Sequence, residues 1–514
     1  MPRFIVLSLA LVSTLLVTAS HAQTIPPHVA KQLGLTQAWM RHVNVPTGVQ
    51  SISDQQLFVH ESEPNEYVEI VKAAAEGEEG EGEVLTRILT TRLGSSGQAI
   101  GLQEAQRLAS NEIRRLKRRS ITASMNVRKV PRVRLYTIAN DGMLESRDAE
   151  TGEPIWTVKV GDQRLPYSAL GVGEKNITVI NGANVILVEA STGEVIQEVQ
   201  SMSVPSYGAV ISGKYAMVPT MNSSVQGYHL DDLKQRPFLE MVAGSPLALP
   251  TKAPGTTRIA WGTDRGYVYV MELQGRPSVL FRLNTDGTVH GRIAAASGDR
   301  FYFGSESGQV YGLRATRTGR VMWSMPFGEP FYHEPIVMED QLLIRSTFGN
   351  LYSLALDSGI MQWEEATSNV ADLIGSFGDY IYVTNLSGSF GVLDKKTGRQ
   401  IQSYSSVRPA SYLVNKLTDR LYLVDEAGNV QCLRKDGATL PTFNTQPDIQ
   451  EQVEEPVAAD PKDDTPFGAD PGMSDPFGGG SDADPFGGSS DADPFGGSDE
   501  ESMDDPFGGD NPFG

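Results

Sequence analysis

Side chains that bind metals or attack substrates are sparse in this 514-residue sequence, which contains one cysteine and seven histidines. Cys432 alone forms no intramolecular disulfide and cannot supply a cysteine-based zinc or iron–sulfur site. The histidines show no metal-ligand spacing. No Gly-x-Ser-x-Gly elbow or Walker A loop occurs, and no spacing of carboxylates marks a catalytic pair. We therefore expect a non-enzymatic protein with no catalytic residues, no metal and no cofactor.

Charge is concentrated at the C-terminal end of the chain. The formal net charge is −20, and residues 446–514, with 19 acidic residues and one lysine, contribute −18 of it. The remaining −2 is spread over the body, so we expect no nucleic-acid partner. A hydrophobic fraction of 39% is too high for a wholly disordered chain and too low for a polytopic membrane protein.

The N-terminus has the pattern of a secretory signal, residues 1–22. Arg3 precedes an apolar run from Phe4 to Ala19, and Ser20-His21-Ala22 suits signal peptidase. An uncleaved anchor is the alternative, but the run is shorter than the roughly 20 residues that a span needs. We expect export to the periplasm or cell envelope of a bacterium and no membrane span in the mature chain.

A repeat of about 41 residues recurs eight times from Val133 to Thr445. Each copy has a β-rich run, a glycine turn and a second alternating run. Glycine suits such a turn because it reaches positive φ at no steric cost. The turn positions are Gly142, Gly182, Ser224, Gly266, Gly308, Gly349, Gly388 and Gly428.

A second turn, usually Thr-Gly, follows ten or eleven residues later in most copies. Four residues beyond its glycine stand Trp156, Trp323 and Trp363, while Gln197 and Gln402 occupy the same slot in two other copies. Four short strands per repeat share one core when they are stacked radially. The period therefore predicts an all-β fold, an eight-bladed β-propeller; a β-sandwich, the alternative, does not require so strict a period.

The two best copies are Gly308–Leu313 with Trp323, and Gly349–Asp357 with Trp363. They resemble the PQQ-like repeat, whose family includes quinoprotein dehydrogenases and the BamB propeller of outer-membrane assembly. The resemblance implies that the tryptophans dock between neighbouring blades. It does not imply the quinone, because the dehydrogenases use a pair of adjacent cysteines and this chain has one cysteine.

Two segments before the repeats do not follow the period. Residues 23–45 include a strand-like run around Trp39, which we expect to complete the last blade and close the ring. Residues 46–130 predict a small α/β insert, with a strand at 57–71, an acidic linker at 76–83 and a helix at 102–119 that ends in basic residues. That basic end is either a partner-binding patch or a solvated helix terminus.

The low-complexity segment 446–514 cannot bury enough apolar area to fold, and its composition predicts a disordered acidic tail. It repeats Pro-Phe-Gly six times. Its phenylalanines are candidate docking points for multivalent binding, or the tail is only a solubilising tether. They are Phe467, Phe477, Phe486, Phe495, Phe507 and Phe513.

Together these features favour a monomeric protein-interaction scaffold built on the repeats of residues 131–445, for unidentified protein partners. The resemblance to BamB suggests a role in envelope or outer-membrane protein assembly. Two alternatives remain at this level: a degenerate quinoprotein-like or glycan-active enzyme with its site in the central funnel, and a carbohydrate- or surface-binding structural protein.

Overall fold

Short antiparallel strands make up most of the regular structure in the computed structural model, which describes residues 24–72, 83–94, 98–316 and 319–444. Within these ranges there are eight sheets, of which six have four strands, one has five and one has three. This all-β arrangement of repeated four-stranded antiparallel sheets is consistent with a β-propeller.

The described chain starts with helix α1 (Pro27–Gln32) and strand β1 (Leu35–His42), followed by a 3₁₀ turn (Val49–Ser51). Strand β1 does not pair with the strands that follow it in sequence. It becomes the outermost strand of the last sheet.

The first sheet is the largest, and helix α2 (Gly101–Lys117) packs on it. Its order is β3-β2-β4-β5-β6. The strands are β2 (Ile52–Lys72), β3 (Val84–Leu89), β4 (Ala123–Ala139), β5 (Met143–Asp148) and β6 (Pro154–Lys159).

The next four sheets each consist of four strands that are consecutive in the chain. The second and third contain β7 (Gly171–Val172), β8 (Asn176–Asn181), β9 (Asn184–Glu189), β10 (Val195–Gln200), β11 (Val210–Ser212), β12 (Tyr215–Thr220), β13 (Ser224–His229) and β14 (Phe238–Met241). The fourth and fifth contain β15 (Thr251–Lys252), β16 (Ile259–Gly262), β17 (Tyr267–Glu272), β18 (Ser278–Asn284), β19 (Ala294–Ala296), β20 (Arg300–Gly304), β21 (Gln309–Ala315) and β22 (Gly319–Pro326).

The last three sheets are less uniform, because the sixth has three strands and the eighth takes β1 as its fourth. Their strands are β23 (Ile336–Met338), β24 (Gln341–Arg345), β25 (Leu351–Ala355), β26 (Val370–Phe377), β27 (Tyr380–Asn385), β28 (Phe390–Asp394), β29 (Gln400–Tyr404), β30 (Ser411–Leu413), β31 (Leu421–Val424) and β32 (Asn429–Lys435). In the sixth sheet an isolated bridge from Leu354 to Met361 replaces the outer strand.

Burial differs between the middle and outer strands of a sheet. The second strand of the second sheet, β8, is buried at five of its six residues, while the outer strand β10 has only exposed and half-buried residues. Middle strands are covered on both faces by neighbouring sheets, so they tolerate continuous apolar runs, whereas an outer strand has a solvated face.

The first and last sheets pack against each other. Strand β1 pairs with β32 in antiparallel register, with Trp39 opposite Cys432. One core cluster contains Trp39, Tyr422 and Cys432 of the last sheet together with Val133 and Leu135 of the first. The segment that the sequence assigned to closing the ring therefore lies where the two ends of the repeat array meet.

The segment 46–130 shares its strand β2 with the first sheet. Strand β2 pairs with β4 along nearly its whole length, and residues 52–60 pair with 132–139 inside the first sheet. Beyond an irregularity between His60 and Asn65, the same two strands continue outward. The predicted helix lies at Gly101–Lys117 and packs on this outward part. Strand β2 thus belongs both to the first sheet of the repeat array and to the outward extension on which α2 packs.

Candidate functional site

The four predicted docking tryptophans each contact the next sheet in the chain or, for Trp39, the first sheet. Each indole N–H donates to a backbone carbonyl there, over 2.8–3.0 Å. The pairs are Trp39 with Ala149, Trp156 with Ala190, Trp323 with Leu356 and Trp363 with Lys395.

A glycine lies under each of these rings. A Cβ at Gly152 would sit 2.5 Å from the Trp39 ring, and the second-turn glycines Gly193, Gly359 and Gly398 face Trp156, Trp323 and Trp363 in the same way. Because the ring occupies the space of a side chain, the second turn needs glycine for packing as well as for its positive φ.

In two copies that lack the tryptophan, another side chain contacts the next sheet. The Gln197 Oε1 accepts a hydrogen bond from the Leu233 N–H at 2.7 Å, so it links the second sheet to the third. Between the fourth and fifth sheets, Phe281 lies under Gly319. Phe281 was not identified from the sequence, because this copy has no Thr-Gly turn four residues before it and carries phenylalanine in place of tryptophan. The Gln402 Oε1 instead accepts from the Tyr404 hydroxyl.

All seven glycines predicted at the first turn have positive φ, between 60° and 88°. In the third copy the prediction of Ser224 is wrong by one residue. Ser223 has the positive φ, 58°, and Ser224 starts β13. Serine reaches this conformation at a cost that glycine avoids.

A channel of about 790 Å³ lies among the first strands of several sheets. Its charged lining is mixed, with four basic and three acidic residues among those described. They are Lys252, Arg292, Arg300, Lys416, Asp54, Glu334 and Glu339. The Lys416 Nζ lies 2.5 Å from a Glu334 carboxylate oxygen, so part of this charge is paired within the wall.

Asp54 joins the first sheet to the second at the channel wall. Its Oδ2 accepts from the Leu170 N–H at 2.7 Å and from the Gln56 amide at 3.0 Å. Burial raises the pKa of Asp54 despite these hydrogen bonds. The carboxyl is thus held by contacts between strands.

A second titratable group, the Tyr412 hydroxyl, links the eighth sheet to the seventh. The Tyr412 hydroxyl donates to Asp372 at 3.2 Å, and burial raises the pKa of Tyr412 to about 12. Burial also lowers the pKa of the neighbouring Arg345. At neutral pH Tyr412 is therefore protonated and acts as a hydrogen-bond donor. Over the described ranges, no group of three or more His, Cys, Asp or Glu side chains is arranged to hold a metal ion.

Exposed apolar side chains cluster at one hairpin of the third sheet. Met202, Val204, Met221 and Met241 are 55–66% exposed. The Met221 N–H donates to the Val204 carbonyl at 3.0 Å, and Met241 is paired with Ser224 just beyond the same hairpin. We call these four residues the methionine patch. Exposed apolar side chains on neighbouring loops of one sheet make this region a candidate protein interaction site.

Several predicted features lie outside the described residues: the signal 1–22, most of the acidic linker, and the tail with its six phenylalanines. Within the described ranges, neither helix has the length and apolar character to cross a membrane.

Residues 253–460 match the protein-family model described as outer membrane protein assembly factor BamB. Among solved structures, BamB from Moraxella catarrhalis is 17% identical, with a TM-score of 0.47 over 59% of this chain and 92% of that one. The computationally designed Ika8 protein is 13% identical, with a TM-score of 0.47 over 58% and 92%. The comparison with curated proteins gives no match. The family match covers residues 253–460, so this part of the chain, which is built of repeated antiparallel sheets, is similar to the PQQ-like repeat, BamB-like family.

Proposed function

We propose that this chain is an exported, non-enzymatic scaffold that binds protein partners in the bacterial envelope and serves outer-membrane protein assembly. The description of the matching family supports this role. The observation that carries it is the methionine patch, because unbranched, polarizable side chains adapt to a partner surface.

We also propose that the eight sheets are the blades of one closed, monomeric propeller, formed by residues 131–445, the strand in 23–45 and the first part of β2. The pairing of β1 with β32 and the shared core of the first and last sheets support closure. The four tryptophan contacts support radial stacking of neighbours. A rigid ring suits a scaffold because its surface loops stay in place when a partner binds.

The six phenylalanines of the tail are proposed as weak docking points that act together. Linked weak sites gain avidity without any new contact. Changing all six to serine should then abolish capture of the partner, while changing one should barely weaken it. Unaltered capture by the six-fold variant would leave the tail as a solubilising tether.

The scaffold proposal is tested by isolating the tagged protein from the envelope of its host and identifying bound proteins by mass spectrometry. The test variant changes Met202, Met221 and Met241 to serine. The matched control changes Ile360 and Ile401, two exposed apolar residues of other sheets, to serine.

We expect the control to retain components of outer-membrane assembly and the patch variant to lose them, with equal melting temperatures. Recovery of the same proteins by the patch variant would contradict a role for the patch. Recovery of no envelope protein by the unaltered chain would contradict the scaffold function.

A further inference from the structure

Beside the repeat array stands a small three-stranded sheet, which we call the side sheet. It consists of residues 65–72 of β2, the whole of β3, and residues 123–130 of β4, with β2 in the middle. Helix α2 covers one face, where Val68 and Ile70 are fully buried.

In the part of the chain that the structure describes, the outer edge of β4 has no partner along the side sheet. Strand β5 pairs only with Arg134–Ile138 of β4, so among the described residues no strand lies against 123–130 on that side. Residues 124–129 are all exposed. An unpaired edge presents backbone donors and acceptors to any extended chain that approaches.

The register shows which residues of β4 direct their backbone groups outward. The Glu66 carbonyl accepts from the Thr90 N–H, and the Lys72 N–H donates to the Glu83 carbonyl, so even-numbered residues of β2 bond toward β3. Their partners on β4, which include Met125, Val127 and Lys129, form the non-hydrogen-bonded pairs of the β2–β4 ladder. These residues therefore point their N–H and C=O groups toward the open edge.

The chain around this edge is strongly basic. From residue 113 to 134 there are nine lysines or arginines and no acidic residue, in a body whose net charge outside 446–514 is −2. Lys117, Arg118, Arg119 and Arg128 are exposed and form no ion pair with a described residue. Their charge is available to an acidic partner.

Apolar side chains accompany the charge. Met125 and Val127 are 40% and 37% exposed. They lie opposite Ile70 and Val68, on the face that carries α2. An added strand would place every second side chain beside them, because side chains alternate between the faces of a sheet.

We propose that the edge of β4 at residues 124–130 binds an extended acidic segment of a partner protein by strand addition, with apolar residues of that segment alternating with its carboxylates. The unpaired backbone supplies the pairing, and the exposed cations of α2 and β4 select for negative charge. This surface is separate from the methionine patch, so either proposal stands without the other.

The probe is a fluorescent ten-residue peptide that alternates valine and glutamate, titrated into the full chain by anisotropy. Three control peptides accompany it: one with lysine for glutamate, one with proline for valine, and one with the glutamates kept but backbone amides methylated on one edge. The methylated peptide removes the partner's hydrogen bonds without altering the protein.

Two protein variants separate pairing from charge. Val127→Pro deletes an outward N–H and spares the bonds to β2, while Val127→Thr is its matched control because it keeps that N–H. Arg118→Glu with Arg119→Glu reverses charge and keeps the edge. Circular dichroism checks that each variant melts like the unaltered protein.

We expect Val127→Pro, the charge reversal and peptide methylation each to weaken binding at least about tenfold, and Val127→Thr to stay within about threefold. Equal binding of the methylated or proline peptide would overturn strand addition and leave only electrostatic attraction. No saturable binding of the valine–glutamate peptide would overturn the proposal. Binding that appears only after the glutamates of 76–83 are changed to glutamine would also overturn it, since the chain's own linker would then be the occupant.

Discussion

Arg420 of the last sheet is fully buried against Glu150 of the first, 270 residues away in the chain. The Arg420 Nη2 lies 2.8 Å from a Glu150 carboxylate oxygen, and the Nε lies 3.1 Å from both carboxylate oxygens. Asp419 accepts a further bond from the same guanidinium at 2.7 Å. The junction of the two sheets is thus held by a buried ion pair as well as by the strand pairing of β1.

Removing one partner of this pair should destabilise the protein strongly. Glu150→Ala leaves a buried guanidinium without its main counter-ion, which costs roughly 3–5 kcal/mol in the free energy of unfolding. The exposed pair Arg41–Glu153 spans the same two sheets and is the control, with an expected loss under about 1 kcal/mol for Glu153→Ala. Denaturant unfolding measures both, and equal losses would contradict a special role for Arg420.

Trp39→Ala should cost roughly 3–5 kcal/mol, because the side chain is buried in the cluster between the first and last sheets. Trp39→Phe keeps most of the apolar area and loses the hydrogen bond to Ala149, so it should cost less. If the two substitutions lower the free energy of unfolding equally, packing of the ring is not what holds this junction.

Substitutions at a first-turn glycine and at the first-turn serine should change the free energy of unfolding in opposite directions. Gly388 has a φ of 78° and open space where a Cβ would stand. Gly388→Ala therefore tests only the backbone conformation, and it should lower the free energy of unfolding by about 1–2 kcal/mol. Ser223→Gly should raise the free energy of unfolding by up to about 1 kcal/mol by relieving the strained φ. A loss of stability in Ser223→Gly would show that its hydroxyl contact with Ser245 is worth more than the strain.

Glu174 should give the protein a measurable acid dependence. Burial opposes its ionisation, but hydrogen bonds from His60, the Glu61 N–H and Ser62 outweigh it and hold the pKa of Glu174 at about 2. A carboxyl of the unfolded chain titrates near pKa ~4.3, so the stabilisation is complete above that pH and is lost as pH falls toward 2. The difference in melting temperature between the unaltered protein and Glu174→Gln should therefore shrink from pH 7 to pH 2, and a constant difference would contradict the assignment.

The purified mature protein should show no dye-linked alcohol or sugar dehydrogenase activity, with or without added pyrroloquinoline quinone and calcium. The sequence lacks the adjacent cysteine pair that the quinoprotein dehydrogenases use, since Cys432 is its only cysteine. Activity that rises on adding quinone and calcium would overturn the assignment as a non-enzymatic protein.

Residue spacing predicted the parts of the structure that repeat. A glycine recurring near every forty-first residue predicted hairpin turns. All seven of these glycines have positive φ in the structure. The tryptophans marked sites at which an indole meets the next sheet. These features are readable because each depends on a local turn or on contact with an adjacent repeat.

Features that depend on distant pairing could not be read in the same way. The partnership of Arg420 with Glu150 requires the two ends of the array to meet, and nothing in either local sequence indicates it. The sequence pattern predicted a strand at 57–71, but it indicated neither the start of β2 at Ile52 nor the pairing of residues 52–60 inside the first sheet. Phe281 was missed for a different reason, since its copy lacks both the Thr-Gly turn and the tryptophan that marked the other sites.

The pairing of β1 with β32 also constrains the order in which the molecule is built. Residue 35 is synthesised about 400 residues before its partner at 435, so the early strand must wait unpaired while the whole array is made. Contacts between residues so far apart slow folding, and unpaired strands are prone to aggregate in the interval. Assembly of the last sheet is therefore the step at which a holding chaperone would raise the yield most.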